Sequence, residues 1–426
     1  MKKIIFLVCV SFNYVMCAQN KAPINYEKAA QQYKVLLHAN PHNNQIRYQY
    51  AYCLYQLEQH EQAAPLYEQL IPIFKNTDYF WYQFGTILEQ LEQIPAAITA
   101  FENAIAINNH PAIYTSLSFC YLKLGNLEKA RSVQALQRKI LQQEQTEQVW
   151  SPDSVQKKTI LIHDEAGFGD FFHWIRYAQL LHEKGARIIV SARPALIPIL
   201  SLCPYIELVI ANTDSTNIHN YDHEIAVGSL CTLFNTTIET APHNTPYLYA
   251  SENLIDKWKH YFKDNSAFKI GLCWHAQSYF NPATGKTTGA ERNIDPRLFQ
   301  ALSNLPNVQL YSLQKINGCM GLPQVKDFIH FFPHDFDESE GRFMDTAAIM
   351  TQLDLIITVD TSIEHLAGAL SRPVWILLSK PSDWRWFLNK TDSIWYPTVK
   401  LFKQRIKGDW TSVMHAITQE LTDLLP

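Results

Sequence analysis

The sequence predicts a chain in two architectural parts: α-helical repeats over residues 25–145, then an α/β region of two parallel-sheet domains over 155–255 and 266–426. Three observations predict this. Small and aromatic residues recur every 34 positions in the first third of the chain. Short β-rich runs alternate with helical patterns in the remainder, which argues for parallel strands. A length of 426 residues exceeds what one compact core organises.

Composition narrows the function classes. With 47% hydrophobic residues, 18% charged, 14 Gly and 21 Pro, the chain is neither collagen-like nor low-complexity. A balance of 36 Lys+Arg against 40 Asp+Glu leaves a net charge of -4 and no basic excess for a phosphate backbone, so no nucleic-acid partner is expected. Eight cysteines without a CxxC pair indicate neither a zinc site nor a disulfide framework.

The first element, residues 1–18, reads as a signal peptide. Lys2 and Lys3 precede the apolar run Ile4–Val10, and Ala18 suits a cleavage site, although Met16 is bulky at the third position back. The run is too short to cross a bilayer, so no membrane span is expected after signal removal.

In the repeat region, Ala29, Ala63 and Ala97 are followed four residues later by Tyr33, Tyr67 and Phe101, all at a period of 34. Trp81, Phe84, Gly85 and Leu88 occupy the preceding helix of one unit, and Tyr114, Leu117, Tyr121, Gly125 and Ala130 mark the last. This pattern resembles the tetratricopeptide repeat, whose small residues let paired helices approach and whose aromatics fill the gap. Projecting the frame backward gives a poor match at Asn13, Met16, Cys17 and Asn20, so the array opens with a lone helix over 26–38. Such an array presents a surface to a protein partner, or serves as a spacer packed on the next domain.

Polar residues and Pro152 within 142–154 mark the boundary. Strands are expected at Thr159–His163, Arg187–Ser191, Glu207–Ile210 and Glu224–Val227, with a helix over Phe171–Lys184. After a connection at 253–265, a second set is expected at Lys269–Trp274, Val308–Leu313, Leu355–Val359 and Val374–Leu378. Its helices fall at Pro296–Ser303, Phe343–Leu353 and Ser362–Leu370. Two Rossmann-like domains of this kind hold a ligand in the cleft at the carboxyl ends of their strands.

Two turns sit where such a ligand would lie. Asp360, Thr361 and Ser362 end a strand and open a helix, with His365 one turn further in; amides and hydroxyls there bind phosphate or simply cap the helix. Gly167 and Gly169 follow the first strand and let a ligand approach, with Asp170 opening the next helix as a candidate acid or as a cap. Trp274 and Trp384 offer rings for stacking a sugar or base, although burial is the commoner use. Asp335-Phe-Asp337 is read as a solvated loop rather than a metal site, and no metal is expected.

Taken together, Gly167-Phe-Gly-Asp170, Gly271-Leu-Cys-Trp274, Ser312-Leu-Gln-Lys315, Asp345-Thr-Ala-Ala348, Val359-Asp-Thr-Ser362, His365-Leu-Ala-Gly-Ala-Leu370 and Asp383-Trp-Arg-Trp386 resemble glycosyltransferases of the GT-B fold that carry tetratricopeptide repeats. The catalytic half is similar to the family 9 heptosyltransferases and, more distantly, to O-GlcNAc transferases. The resemblance implies that Asp170 is the catalytic base and that Thr361, Ser362 and His365 hold the donor diphosphate. It also implies that Lys315 and Arg292 face the donor and that Trp384 and Arg385 lie on a loop near the cleft. Glu364 departs from the pattern, standing where a small residue is usual and bringing a negative charge to the phosphate turn.

The implied activity is metal-independent, inverting transfer of a sugar from a nucleotide-diphosphate donor, a co-substrate rather than a cofactor, to a protein or glycan acceptor. Two alternatives stand beside it: a repeat-based adaptor whose GT-B domain has lost its chemistry, and a sugar-nucleotide epimerase. The signal points to export or the periplasm and nucleotide-sugar supply to the cytoplasm, which leaves the compartment open.

Overall fold

The computed structural model describes residues 25–141, 150–165, 167–213, 220–262, 266–281, 286–315, 323–333 and 335–425. The expected signal peptide and residues 142–149 of the expected boundary lie outside the described residues. Two compact units emerge: 25–76 with 278–281 and 286–288, and the remainder of the chain.

The first unit holds α1 (Tyr26–Ala39), α2 (Asn44–Gln56) and α3 (His60–Phe74). It also contains an antiparallel ribbon, Tyr279–Asn281 with Lys286–Thr288 (β6 and β7 in chain order), which the sequence did not announce. Asparagine caps open two of the helices. Asn25 accepts from Lys28 N–H, and Asn43 accepts from Gln45 and Ile46 N–H, relieving amides with no partner inside the helix. Ala63 and Tyr67 are fully buried, as the repeat register requires.

The second unit opens with α4 (Asp78–Gln90), α5 (Ile94–Ile107), α6 (Pro111–Lys123) and α7 (Leu127–Ile140), bringing the helical region to seven helices. The repeat signature has a visible cause here. A side chain at Gly85 would place its Cβ 2.7 Å from the Phe101 ring, so the glycine of α4 is the space that the aromatic of α5 fills.

The α/β region follows. A four-stranded parallel sheet has the order β3-β2-β1-β4, with β1 Thr159–His163, β2 Arg187–Ala192, β3 Leu208–Ala211 and β4 His223–Ala226. Its helices are α8 (Phe168–Trp174), α9 (Arg176–Glu183), α10 (Ile197–Leu200) and α11 (Leu230–Leu233). The helix expected over Phe171–Lys184 is broken at Ile175, where the Arg176 side chain donates to His173 O, a carbonyl that an unbroken helix would keep for its own ladder.

After α12 (Glu252–Trp258), a six-stranded parallel sheet has the order β12-β11-β10-β5-β8-β9. Its strands are β5 Phe268–Cys273, β8 Val308–Ser312, β9 Ile329–Phe331, β10 Leu355–Val359, β11 Val374–Leu378 and β12 Val399–Lys403. The helices α13 (Gln300–Ser303), α14 (Met344–Met350), α15 (Ser362–Ala369) and α16 (Trp410–Leu424) complete it. One continuous apolar core joins α6 and α7, the first sheet, α14 and α15, while a second core lies between the other face of the larger sheet and α16.

Both sheets reverse direction at a definable place. In the first, the chain steps outward from β1 to β3 and then returns to place β4 on the other side of β1. In the second it steps from β5 to β9 and returns to place β10 beside β5. Open parallel sheets leave a crevice at the carboxyl ends of the strands where this happens. The segments there are 164–165 and 167–170 after β1, 274–277 after β5 and 360–362 after β10.

Candidate functional site

The turn after β1 and the turn after β10 meet. A Cβ on Gly169 would fall 2.9 Å from His365 Cδ2 and 3.4 Å from Ser362 Cα, so α8 reaches the first turn of α15 only because residue 169 has no side chain. Asp170, the next residue, accepts from Gly167 N–H at 3.1 Å and pairs through its other oxygen with Arg385. It is therefore both a helix-start acceptor and one half of an ion pair joining the two sheets' elements, and 35% of its side chain is exposed.

Arg385 is held from several directions. It donates to Asp383 at 3.1 Å, and its guanidinium lies over the rings of Trp384 (4.8 Å) and Trp174 (5.7 Å), which stack on each other at 6.1 Å. Burial opposes its charge, but the carboxylates of Asp383, Asp170 and Asp360 outweigh burial and hold it protonated. Trp384 thus braces an arginine and is buried by doing so.

Around the Thr361 turn, Thr361 N–H donates to both oxygens of Glu364 at 2.8 Å. Glu364 is completely buried, and burial followed by the neighbouring Asp360 pushes its carboxyl well above the usual range. Asp360 is pushed up to about 6 by burial and Asp383, against the pull of Arg292 and Arg385. Glu364, expected to bring a negative charge to the turn, caps the helix from a buried position where burial and Asp360 favour its protonated form.

A consequence can be measured. A raised carboxyl binds more protons folded than unfolded between its unfolded and folded values, so stability falls as pH rises through that window. Glu364→Gln, which keeps a donor for Asp360 and an acceptor for Thr361 N–H, is expected to gain on wild type by about 1.4 kcal/mol per pH unit across the window. Denaturant unfolding at a series of pH values from 5 to 8 checks this; a constant difference across the series would contradict it.

His365 is not a cation. It is buried, its Nδ1 lies 2.9 Å from Tyr396 Oη and its ring stacks on Trp386. Burial, then Arg385 and Arg176, hold its pKa well below the usual range. His173, 5.3 Å away ring to ring, is depressed in the same way, by burial and then Arg176 and Arg385. Both imidazoles are neutral at physiological pH, and their contribution to stability is lost as pH falls below about 6.5.

The remaining candidates divide. Arg292 donates to Asp360 O at 2.9 Å and to Gln277 O at 3.3 Å, which places it at the reversal of the larger sheet. Lys315 is engaged elsewhere: its ammonium donates to Phe336 O and Glu338 and sits over the Phe336 ring. Trp274 is buried in the core beside Phe331, so burial rather than stacking accounts for it. Asp337 is not solvated as expected; it accepts from Thr346 N–H at 2.9 Å and donates its own N–H to buried Asp345 at 2.7 Å, securing the start of α14. No cluster of three metal-ligating side chains occurs among the described residues.

Tyr247 had little sequence signal. Tyr247 and Tyr396 line the buried Arg176, whose guanidinium also donates to Pro242 O at 2.8 Å and Trp395 O at 2.6 Å. Arg176 thereby ties α9 to the segment after β11, just beneath the site.

Comparison with known proteins bears mainly on the helices. Two tetratricopeptide-repeat family profiles match residues 25–82 and 79–111. The chain is similar to Protein FlbA of Caulobacter vibrioides, with 22% identity over 304 aligned positions covering 64% of this chain and 48% of that protein. It thus spans about half the length of this curated relative. That share of the chain exceeds what the helices α1–α7 supply, so the likeness continues into the α/β region. Among solved structures it is similar to MamA from Desulfovibrio magneticus RS-1 (16% identity, TM-score 0.27, 28% of this chain and 69% of that one). A second MamA structure, from MSR-1, gives 15% identity and the same TM-score, over 28% of this chain and 68% of that one. No helix among the described residues is long and apolar enough to cross a membrane. Residues 25–111 are tetratricopeptide repeats, and they support a protein partner for this chain.

Proposed function

We propose that this chain binds a protein partner through its repeats and that its two Rossmann-like lobes form a GT-B glycosyltransferase site. In this reading a sugar leaves a nucleotide-diphosphate donor for an acceptor hydroxyl without a metal. The observation that carries it is the approach of Gly169, the residue before Asp170, to Ser362 and His365 at the strand-order reversals of both sheets. Amides in the first turn of α15, the hydroxyls of Thr361 and Ser362, and Arg292 stabilise the departing diphosphate. Asp170, oriented by Arg385, takes the proton of the acceptor hydroxyl as its oxygen bonds the anomeric carbon and the bond to the diphosphate breaks, so configuration inverts.

A second reading, a repeat-based adaptor without chemistry, is favoured by specific contacts. Asp170 is already paired, Thr361 N–H is taken by Glu364, and His365 is neutral. A thermal-shift panel of nucleoside diphosphates separates the two. At a hundredfold excess over its Kd, a bound nucleotide adds about 2.7 kcal/mol and raises the midpoint by several degrees. No shift with any nucleotide selects the adaptor.

A further inference from the structure

The loop that carries Arg385 is held from the repeat side. Glu92, in the turn after α4, accepts from Ser382 N–H at 3.4 Å and lies 3.8 Å from the Lys380 ammonium. At the far end of the same loop, Leu388 N–H donates to Lys123 O, the last residue of α6, at 3.0 Å. Between these anchors, the Lys403 ammonium donates to the carbonyls of Trp386 (2.9 Å), Phe387 and Leu388 (3.2 Å). Asp383 fixes the backbone N–H of Arg385 at 2.9 Å, and the guanidinium reaches Asp170. On the opposite side, Arg131 of α7 donates to Thr236 O and, at 3.3 Å, to Asn235 O. The repeat helices therefore grip both ends of the segment whose centre holds the site acid.

We propose that the repeat region is a positioning part of the site: Glu92 and the carboxyl end of α6 fix the 380–388 loop, the loop fixes Arg385, and Arg385 fixes Asp170 at the start of α8. Glu92 is a positioning residue that never touches α8, and the site is complete only with the last repeats in place. The proposal rests on the reading of Asp170 as the site acid only for its consequence, not for the coupling itself.

The test is amide hydrogen exchange, read by mass spectrometry on the full chain without nucleotide. A lost part-buried hydrogen bond shifts a local opening equilibrium by about fivefold. Glu92→Ala and Arg385→Gln are each expected to speed exchange of the 168–174 amides by about that factor. Asp295→Ala, which removes the acceptor for Arg297 N–H at a helix start in the same unit, controls for general destabilisation and should leave those amides at the wild-type rate. If Glu92→Ala fails to fold, Glu92→Gln keeps the acceptor for Ser382 N–H, loses the charge facing Lys380, and gives a smaller rise in the same amides. The proposal is overturned if a Glu92 variant speeds exchange in 380–388 while 168–174 stays at the wild-type rate. It is equally overturned if Asp295→Ala speeds 168–174 as much as Glu92→Ala does. A chain that transfers no sugar passes or fails this test on the same terms, so the two proposals fail separately.

Discussion

On the proposed glycosyltransferase reading, Asp170→Asn is expected to slow sugar transfer by about 10²–10⁴-fold while leaving the donor Kd within about threefold, since a general base acts on the reaction and not on donor binding. The structure gives Asp170 two further tasks, accepting from Gly167 N–H and pairing with Arg385 across the two sheets. Asparagine retains an acceptor for the amide but surrenders the ion pair. The decisive comparison is therefore between turnover and affinity, measured by single-turnover kinetics and calorimetry on the same preparation. A parallel loss of both would assign Asp170 to holding α8 against the Arg385 loop and leave it no role in proton transfer.

Arg176→Ala is expected to cost about 3–5 kcal/mol of stability, the range that follows when a buried charged donor is removed and several acceptors lose their partner. Its guanidinium serves His173 O, Pro242 O, Trp395 O and Tyr247 Oη, and lies over the Tyr247 and Tyr396 rings at 4.8 and 4.4 Å. Arg176→Lys keeps the charge but offers one compact ammonium in place of a planar fork, so most of the loss should persist. Denaturant unfolding of both variants reads this. A cost below about 1 kcal/mol for the alanine variant would mean that water replaces these bonds without penalty.

What the sequence made legible follows from where the information lies along the chain. The repeats were readable because Gly85 and Phe101, or Ala63 and Tyr67, satisfy one another at a fixed separation. The central strands β1, β5, β10 and β11 were readable because burial on both faces makes them continuous apolar runs. The edge strands β9 and β12 escaped: Ile329–Phe331 is three residues long, and Val399–Lys403 alternates Val, Lys, Leu, Phe and Lys with one face half-exposed.

At the site, Asp170 and the Thr361 turn were legible because strand-to-helix turns have a local signature. Which cations reach them was not. Lys315 and Arg292 look alike in sequence, yet one is held by the 336–338 loop and the other by Asp360 O. The depressed pKa of His365 depends on burial beside Tyr396 and Trp386 and on the charges of Arg385 and Arg176, residues distant in the chain.

The most direct test of the claim that Asp170 and the Thr361–Ser362 turn form one diphosphate site is calorimetric titration of a nucleoside diphosphate into wild type and into Ser362→Asp. A carboxylate at the first residue of α15 occupies the amides and repels a second anion, so the variant is expected to bind at least about tenfold more weakly. Equal affinity in the two proteins, or no binding of any nucleoside diphosphate to wild type, would contradict the account.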